Sequence, residues 1–299
     1  MKKIFLIIIV TLMTTQNSVA QEWMTSLDAA KRIALIQDKL LFMVWEDAAT
    51  IPYPVIVNDT AGNELVFEDL FGHQEINKIL WEYFVPVKVS EHLYAELFDD
   101  IKDIRSKTYI EQFEDDNIKI MDVNGMIVNT SNSPEAFFNL TEFITNYAIN
   151  TAYLKSELDN YAQRPDFNSA YRLASKYFDY AILVGKDVRT DVIQVANMYL
   201  DNADRFLLTS GLQDKAHLSR KIELLRLSGY LIQDKPRKVL RTLKKLDLSE
   251  LDASNQDLLA FLYYTAYVLN KDKKNTEAWK SKVTSINLKR AELITNINL

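Results

Sequence analysis

Acids dominate the side chains here that could do chemistry. Glu46 and Asp47 follow an apolar run, and Glu111 and Glu114 come later. Two carboxyls could serve hydrolysis as an acid and base pair if folding brought them together and desolvated them. Their spacing does neither, and solvated acids are the commoner reading. Asp115, Asp116 and Asp122, with Asn117 and Asn124, offer oxygens for calcium. Asp122-Val123-Asn124-Gly125 lacks the later carboxylates of a calcium loop, which favours a turn. His73, His92 and His217 show no metal-ligand spacing, and no Gly-x-Ser-x-Gly elbow announces a nucleophile, although a triad assembled from distant residues stays open. The chain has no cysteine, so disulfide exchange and cysteine–metal sites are excluded. No metal or cofactor is implied.

The sharpest cluster is basic: Lys235, Arg237, Lys238, Arg241, Lys244 and Lys245. On a helix from Pro236 to Leu246, residues Val239, Leu240, Leu243 and Leu246 would face inward and most of the cations outward. A solvated face stands against an acidic partner, lipid headgroups or the acidic first half of the chain as the meaning of that face.

Those side chains need a scaffold, and 299 residues suffice for two domains of ordinary size. Hydrophobic residues make up 48% and charged residues 25%, a globular balance. Residues 1–20 read as a secretory signal peptide: Lys2 and Lys3, an apolar stretch from Ile4 to Met13, then Ser18-Val19-Ala20 before Gln21. That stretch is shorter than the roughly 20 residues of a spanning helix, and no later segment is long and apolar enough. From Gln21 to Asn150 there are 9 basic and 23 acidic residues, a balance of −14; from Thr151 onward there are 24 and 18, a balance of +6. Such opposed halves can attract each other or steer charged partners, and an exported, net-acidic chain is a poor nucleic-acid binder.

Period and punctuation then divide the chain. Ser26 can cap a helix bearing Leu27, Ala30, Ile33 and Ala34, and Leu40 to Trp45 reads as a strand covered on both faces. Pro52, Pro54 and Asn58 to Asn63 predict loop and turn. A helix over Gln74–Glu82 precedes a strand over Tyr83–Val89, which Pro86 confines to a sheet edge or strand start. A helix over Leu93–Ile104 leads to a hairpin over Asn117–Asn129 around Asn124-Gly125, and Pro134–Asn150 reads as a helix striped by Phe137, Leu140, Phe143, Ile144 and Tyr147. This order fits one mixed sheet with helices on both faces. After Thr151 the strand signals stop. Helical stripes run through Ala170–Ala181 and Val188–Ala203, with further helices over Asp214–Ile232, Pro236–Leu246, Asn255–Leu269 and Thr276–Ile297.

The helix bearing Leu27, Ala29 and Ala30, the run Asp38-Lys39-Leu40-Leu41-Phe42-Met43-Val44, the strand Phe84-Val85-Pro86-Val87-Lys88-Val89 and the hairpin Ile118-Lys119-Ile120-Met121-Asp122-Val123-Asn124-Gly125 together resemble exported thioredoxin-like proteins related to thiol-disulfide interchange domains. The resemblance covers roughly residues 23–150. It implies an α/β thioredoxin-like domain over residues 21–150. The family's Cys-x-x-Cys would follow Trp45, where Glu46 to Val57 holds no thiol, and its cis-proline would fall near Asp116, where no proline stands. The implied domain is therefore redox-silent and its peptide ledge altered. Residues 151–299 form an all-α domain of helix pairs that resembles tetratricopeptide packing without a clean 34-residue period. The expectation is a binding or scaffold module of the bacterial envelope whose partner is an envelope protein or an extended polypeptide. The rivals are a hydrolase with a site between domains and a structural subunit of an envelope complex. Tyr53 and Val55, beside Pro52 and Pro54, are the expected contact residues, together with Asp116 and the basic cluster.

Overall fold

The computed structural model describes residues 22–59, 61–131, 137–245 and 253–299. The expected signal peptide, together with Pro134 and Leu246, lies outside the described residues. Helix α1, Leu27–Gln37, starts where the Ser26 side chain accepts the Ala29 N–H at 3.3 Å and stops where Asp38 turns left-handed at φ 57°. It buries Leu27, Ala30 and Ala34. Strand β1, Leu41–Trp45, follows at once, and all five of its residues are buried, as the unbroken apolar run predicts.

Around β1 forms a four-stranded sheet. Its members are β4 (Val85–Val89), β5 (Lys119–Met121) and β6 (Ile127–Thr130), in the order β4-β1-β5-β6. β4 runs parallel to β1, β5 antiparallel to β1, and β6 antiparallel to β5. A parallel neighbour requires a crossover, which helix α2, Gln74–Tyr83, supplies. Pro86 sits on an edge strand, and the register explains why it is tolerated. Val85 donates to Leu40 O and Val89 accepts from Glu46 N, so Pro86 directs its missing donor away from β1; its carbonyl accepts the Met24 N–H at 3.0 Å.

Three departures from the sequence expectations shape the surface. On either side of the segment read as turn, Asn58 to Asn63, the chain forms strands of an unexpected second sheet, β3-β2-β7, made of β2 (Val55–Asn58), β3 (Glu64–Phe67) and the distant β7 (Phe138–Asn139). Phe138 and Asn139 pair with Val55 and Ile56, which moves the start of the next helix, α5 (Leu140–Tyr147), to a cap where Asn139 accepts the Glu142 N–H. The helix expected over Leu93–Ile104 forms as α3 (Glu91–Ile101), and an additional helix that the sequence did not announce, α4 (Lys107–Glu114), follows it; each is opened by a serine cap, Ser90 and Ser106. The hairpin at Asn124-Gly125 forms as expected, with Gly125 at φ +84°.

Beyond residue 150 the described chain is helical. After a short turn of 3-10 helix at Thr151–Tyr153 come α6 (Lys155–Gln163), α7 (Phe167–Leu183), α8 (Lys186–Thr209), α9 (Lys215–Ile232), α10 (Pro236–Leu243), α11 (Ala253–Leu269), α12 (Lys273–Lys280) and α13 (Ser285–Asn296). The helix expected over Thr276–Ile297 is broken, with Thr284 capping α13. The predicted stripe of α7 is buried, and α8 lies along it with Val188, Val192, Ala196, Tyr199 and Ala203 inside. The buried apolar side chains form one connected cluster from Leu27 to Ile294, so the two halves share a core.

Candidate functional site

The carboxyl end of β1 is where a mixed sheet of this kind presents side chains to ligands. Here it is filled. Trp45 packs edge-on against Tyr94 of α3 at 4.7 Å and Phe113 of α4 at 5.0 Å, while Tyr94 and Phe113 stack on each other at 5.3 Å. From β5, Lys119 brings its ammonium over the Trp45 ring, 4.8 Å from the centroid. The ammonium also donates to the backbone carbonyls of Asp115 and, at 2.8 Å, Asn117. Lys119 is 0% exposed. Burial pulls its pKa down to about 8 against the opposing pull of the Asp115 and Asp116 carboxylates. An amine held by two carbonyls and an indole face, with no path to solvent, is no nucleophile. Asp116 is exposed, on the turn that Lys119 tethers from beneath.

The chain leaving this plug carries the expected contact residues. Val55 is a correction: it is 0% exposed, inside β2 and paired with Phe67 and Phe138, so no partner can touch its side chain. Tyr53 is half-buried, its hydroxyl 3.0 Å from Ser131 Oγ and its ring edge-on to Phe71 and Phe138. It therefore braces the loop rather than projecting from it. Exposure belongs instead to the following hairpin, where Leu65 is 47% and Val66 60% exposed. β3 ends its sheet and pairs only with β2 among the described residues. The 38 residues from Leu40 to Asn77, which include this hairpin, hold seven acids and no Lys or Arg.

A second polar centre joins the halves. Asp122, in the β5–β6 turn, is wholly buried. Its Oδ1 accepts the N–H groups of Asn124 and Met126 at 2.9 and 3.0 Å; its Oδ2 accepts the hydroxyls of Tyr177 at 2.8 Å and Tyr199 at 2.6 Å. Burial raises the Asp122 pKa despite these four donors. Nearby, Asp191 of α8 accepts from the Tyr147 hydroxyl at 2.8 Å and from Asn129 Nδ2 at 2.9 Å, and Lys155 pairs with Asp38 at 2.9 Å. Asp122 was legible as a turn residue. Its second duty was signalled only by two tyrosines on helical stripes otherwise apolar, since a buried hydroxyl needs an acceptor.

The other candidates stay dispersed. Glu46, Asp47, Glu111 and Glu114 are all exposed, so they lack the desolvation that acid–base work requires. Among the described residues no group of three or more His, Asp or Glu side chains is arranged to hold a metal ion. Arg237, Lys238, Arg241, Lys244 and Lys245 are exposed on and just after α10, which buries Val239 and Leu243; Lys238 lies over the Tyr230 ring at 3.7 Å. A cleft of ≈ 390 Å3 opens between α1, the Asn124 turn and α6, lined by Asp28, Lys31, Arg32 and Asp159 among others and by no Ser, Thr or His. No helix among the described residues is long and apolar enough to cross a membrane. The chain matches no described protein family, no curated protein and no solved structure.

Proposed function

We propose that this protein is a redox-silent, thioredoxin-like binding module of the bacterial envelope, carried on a helical scaffold and engaging another protein through an extended segment. The observation that carries the reading is the plug at the end of β1. A sheet with two parallel strands joined through a helix, followed by an antiparallel hairpin, supports a thioredoxin-like core. At the point where such a core would hold its thiols, Trp45 and Lys119 close the surface, and the chain runs on into a solvent-exposed hairpin. The chemistry has gone while the scaffold that presents a loop stays.

The helical half supports a scaffold role through its shared core and its Asp122 and Asp191 contacts, which fix it against the sheet. The hydrolase reading has the cleft beside α1 as its place, but the cleft supplies charges of both signs and no hydroxyl or imidazole nucleophile. Export rests on the residues before Gln21.

The test is a photo-cross-linking pull-down from the envelope of the native host with the mature protein. A specific envelope protein recovered above an unrelated exported control is the expected result. An empty pull-down together with turnover in a broad hydrolase screen would reverse the reading.

A further inference from the structure

The hairpin leaving the plug has a geometry that says which main-chain groups are free. Asp59 accepts the Gly62 N–H at 3.0 Å and donates its own N–H to Asn63 O at 2.9 Å, with Gly62 at φ +85°. These two bonds close the hairpin, with Gly62 in the left-handed region. Asp59 and Asn63 are thus a hydrogen-bonded pair, and bonding alternates down an antiparallel ladder. In the register Asn58↔Glu64, Val57↔Leu65, Ile56↔Val66, Val55↔Phe67, the bonded pairs are those of Leu65 and Phe67. Glu64 and Val66 consequently aim both N–H and C=O away from β2. That side is the open edge of the sheet.

Soluble proteins guard such edges with a basic residue, a proline or a covering element. Here Leu65 and Val66 stand exposed instead. The charged residues that flank them in the hairpin are negative, Asp59, Glu64 and Glu68, within a stretch that has no Lys or Arg from Leu40 to Asn77. An edge with free donors and acceptors, aliphatic side chains and unneutralised acids is complementary to an extended segment that alternates aliphatic and basic residues.

We propose that β3 is a docking edge: an extended, basic strand of a partner protein pairs with the main chain of Glu64 and Val66 and packs aliphatic side chains beside Leu65 and Val66. The proposal rests on the binding reading above and gives it a surface and a partner chemistry. The acids set salt-dependent selection for basic sequence, and the ladder sets the extended form.

The test uses a labelled octapeptide of alternating Val and Lys, its Val/Glu counterpart and a version N-methylated on alternate residues, with fluorescence anisotropy on the mature protein. Val66→Pro removes one outward N–H at a position where an edge strand tolerates proline. Val66→Lys keeps the N–H and adds a like charge, and it decides the matter if the proline variant fails to fold. The Val/Lys peptide should bind, weaken with salt, and lose about tenfold or more in affinity to either variant or to N-methylation. Equal binding of the Val/Glu peptide, no binding of the Val/Lys peptide, or wild-type affinity in a folded Val66→Pro protein overturns the proposal. A native partner captured equally by wild type and folded Val66→Pro would sink the edge assignment alone and leave the binding reading standing. Peptide binding at the edge with an empty native pull-down would do the reverse.

Discussion

Lys119 and Asp122 are buried charges three positions apart on one hairpin, and pH should act on them in opposite directions. Lys119 has a folded pKa near 8, below its ordinary 10.5. Between those values the unfolded chain holds a proton that the folded one has released, so stability rises with pH, by up to about 1.4 kcal/mol per unit. Urea unfolding of Lys119→Met should remove this rise: the difference between wild type and variant shifts in favour of wild type from pH 8 to 10 and stays flat below pH 7. Asp122 is raised, so the folded state holds its proton longer than the unfolded one. Its contribution is greatest below the ordinary carboxyl pKa and declines as pH climbs toward the folded value. Removing the acceptor is worse than titrating it. Asp122→Ala strands two tyrosine hydroxyls and two backbone N–H groups, and should cost on the order of 4 kcal/mol in denaturant titration, against roughly 1.5–3 for Tyr199→Phe. Lys119 stands in an alternating run, Ile118-Lys119-Ile120, and alternation alone would send the lysine to solvent. What lies against it is Trp45 from β1, itself held by Tyr94 of α3 and Phe113 of α4, and no local pattern records that convergence.

At the scale of elements, two packed helices meet at a glycine. A Cβ on Gly229 of α9 would lie 2.9 Å from a Phe178 ring carbon of α7 and 3.1 Å from Ile193 Cγ2 of α8. Phe178 is fully buried and cannot swing aside. Gly229→Ala should therefore destabilise by about 1–2 kcal/mol, although alanine is the better helix former by about 1, and thermal unfolding will read the sign. The basic face of α10 gives the opposite expectation. Its cations are exposed, so Arg237→Glu with Arg241→Glu should leave the midpoint of unfolding within about 0.5 kcal/mol of wild type. Elements were legible where burial and period agreed: β1, the Asn124-Gly125 hairpin, the edge position of Pro86 and the stripe of α7. The β2–β3 hairpin was not. It lies behind Pro52 and Pro54, its strands are four residues long, and β3 turns no apolar face fully inward. Helix α4 was equally hidden, because a serine cap within a polar stretch is a weak mark.

For the whole molecule, the division near residue 150 is a boundary of secondary-structure type rather than of cooperativity. Helices α7 and α8 carry the hydroxyls that satisfy Asp122, and the apolar cluster passes through both halves. Calorimetry of the chain from Gln21 onward should show one transition, and a fragment of it ending at residue 150 should lose its cooperative unfolding, having left Asp122 without two of its four donors. Two separate transitions would show that the halves fold alone. The same interface limits what the opposed net charges do inside one chain: the contacts at Asp122 and Asp191 are hydrogen bonds from tyrosine and asparagine, and Lys155–Asp38 is an ion pair among them. The acidity of the first half is thus left largely for the outside.

The run without Lys or Arg from Leu40 to Asn77 also decides which reagents can see the surface it forms. Amine-directed cross-linkers have no handle on the hairpin, and trypsin cannot cut it. Carbodiimide coupling through Glu64 or Glu68 to a partner's amines would report contact there. A glutamate-specific protease would read occupancy of β3 as protection of those same two bonds.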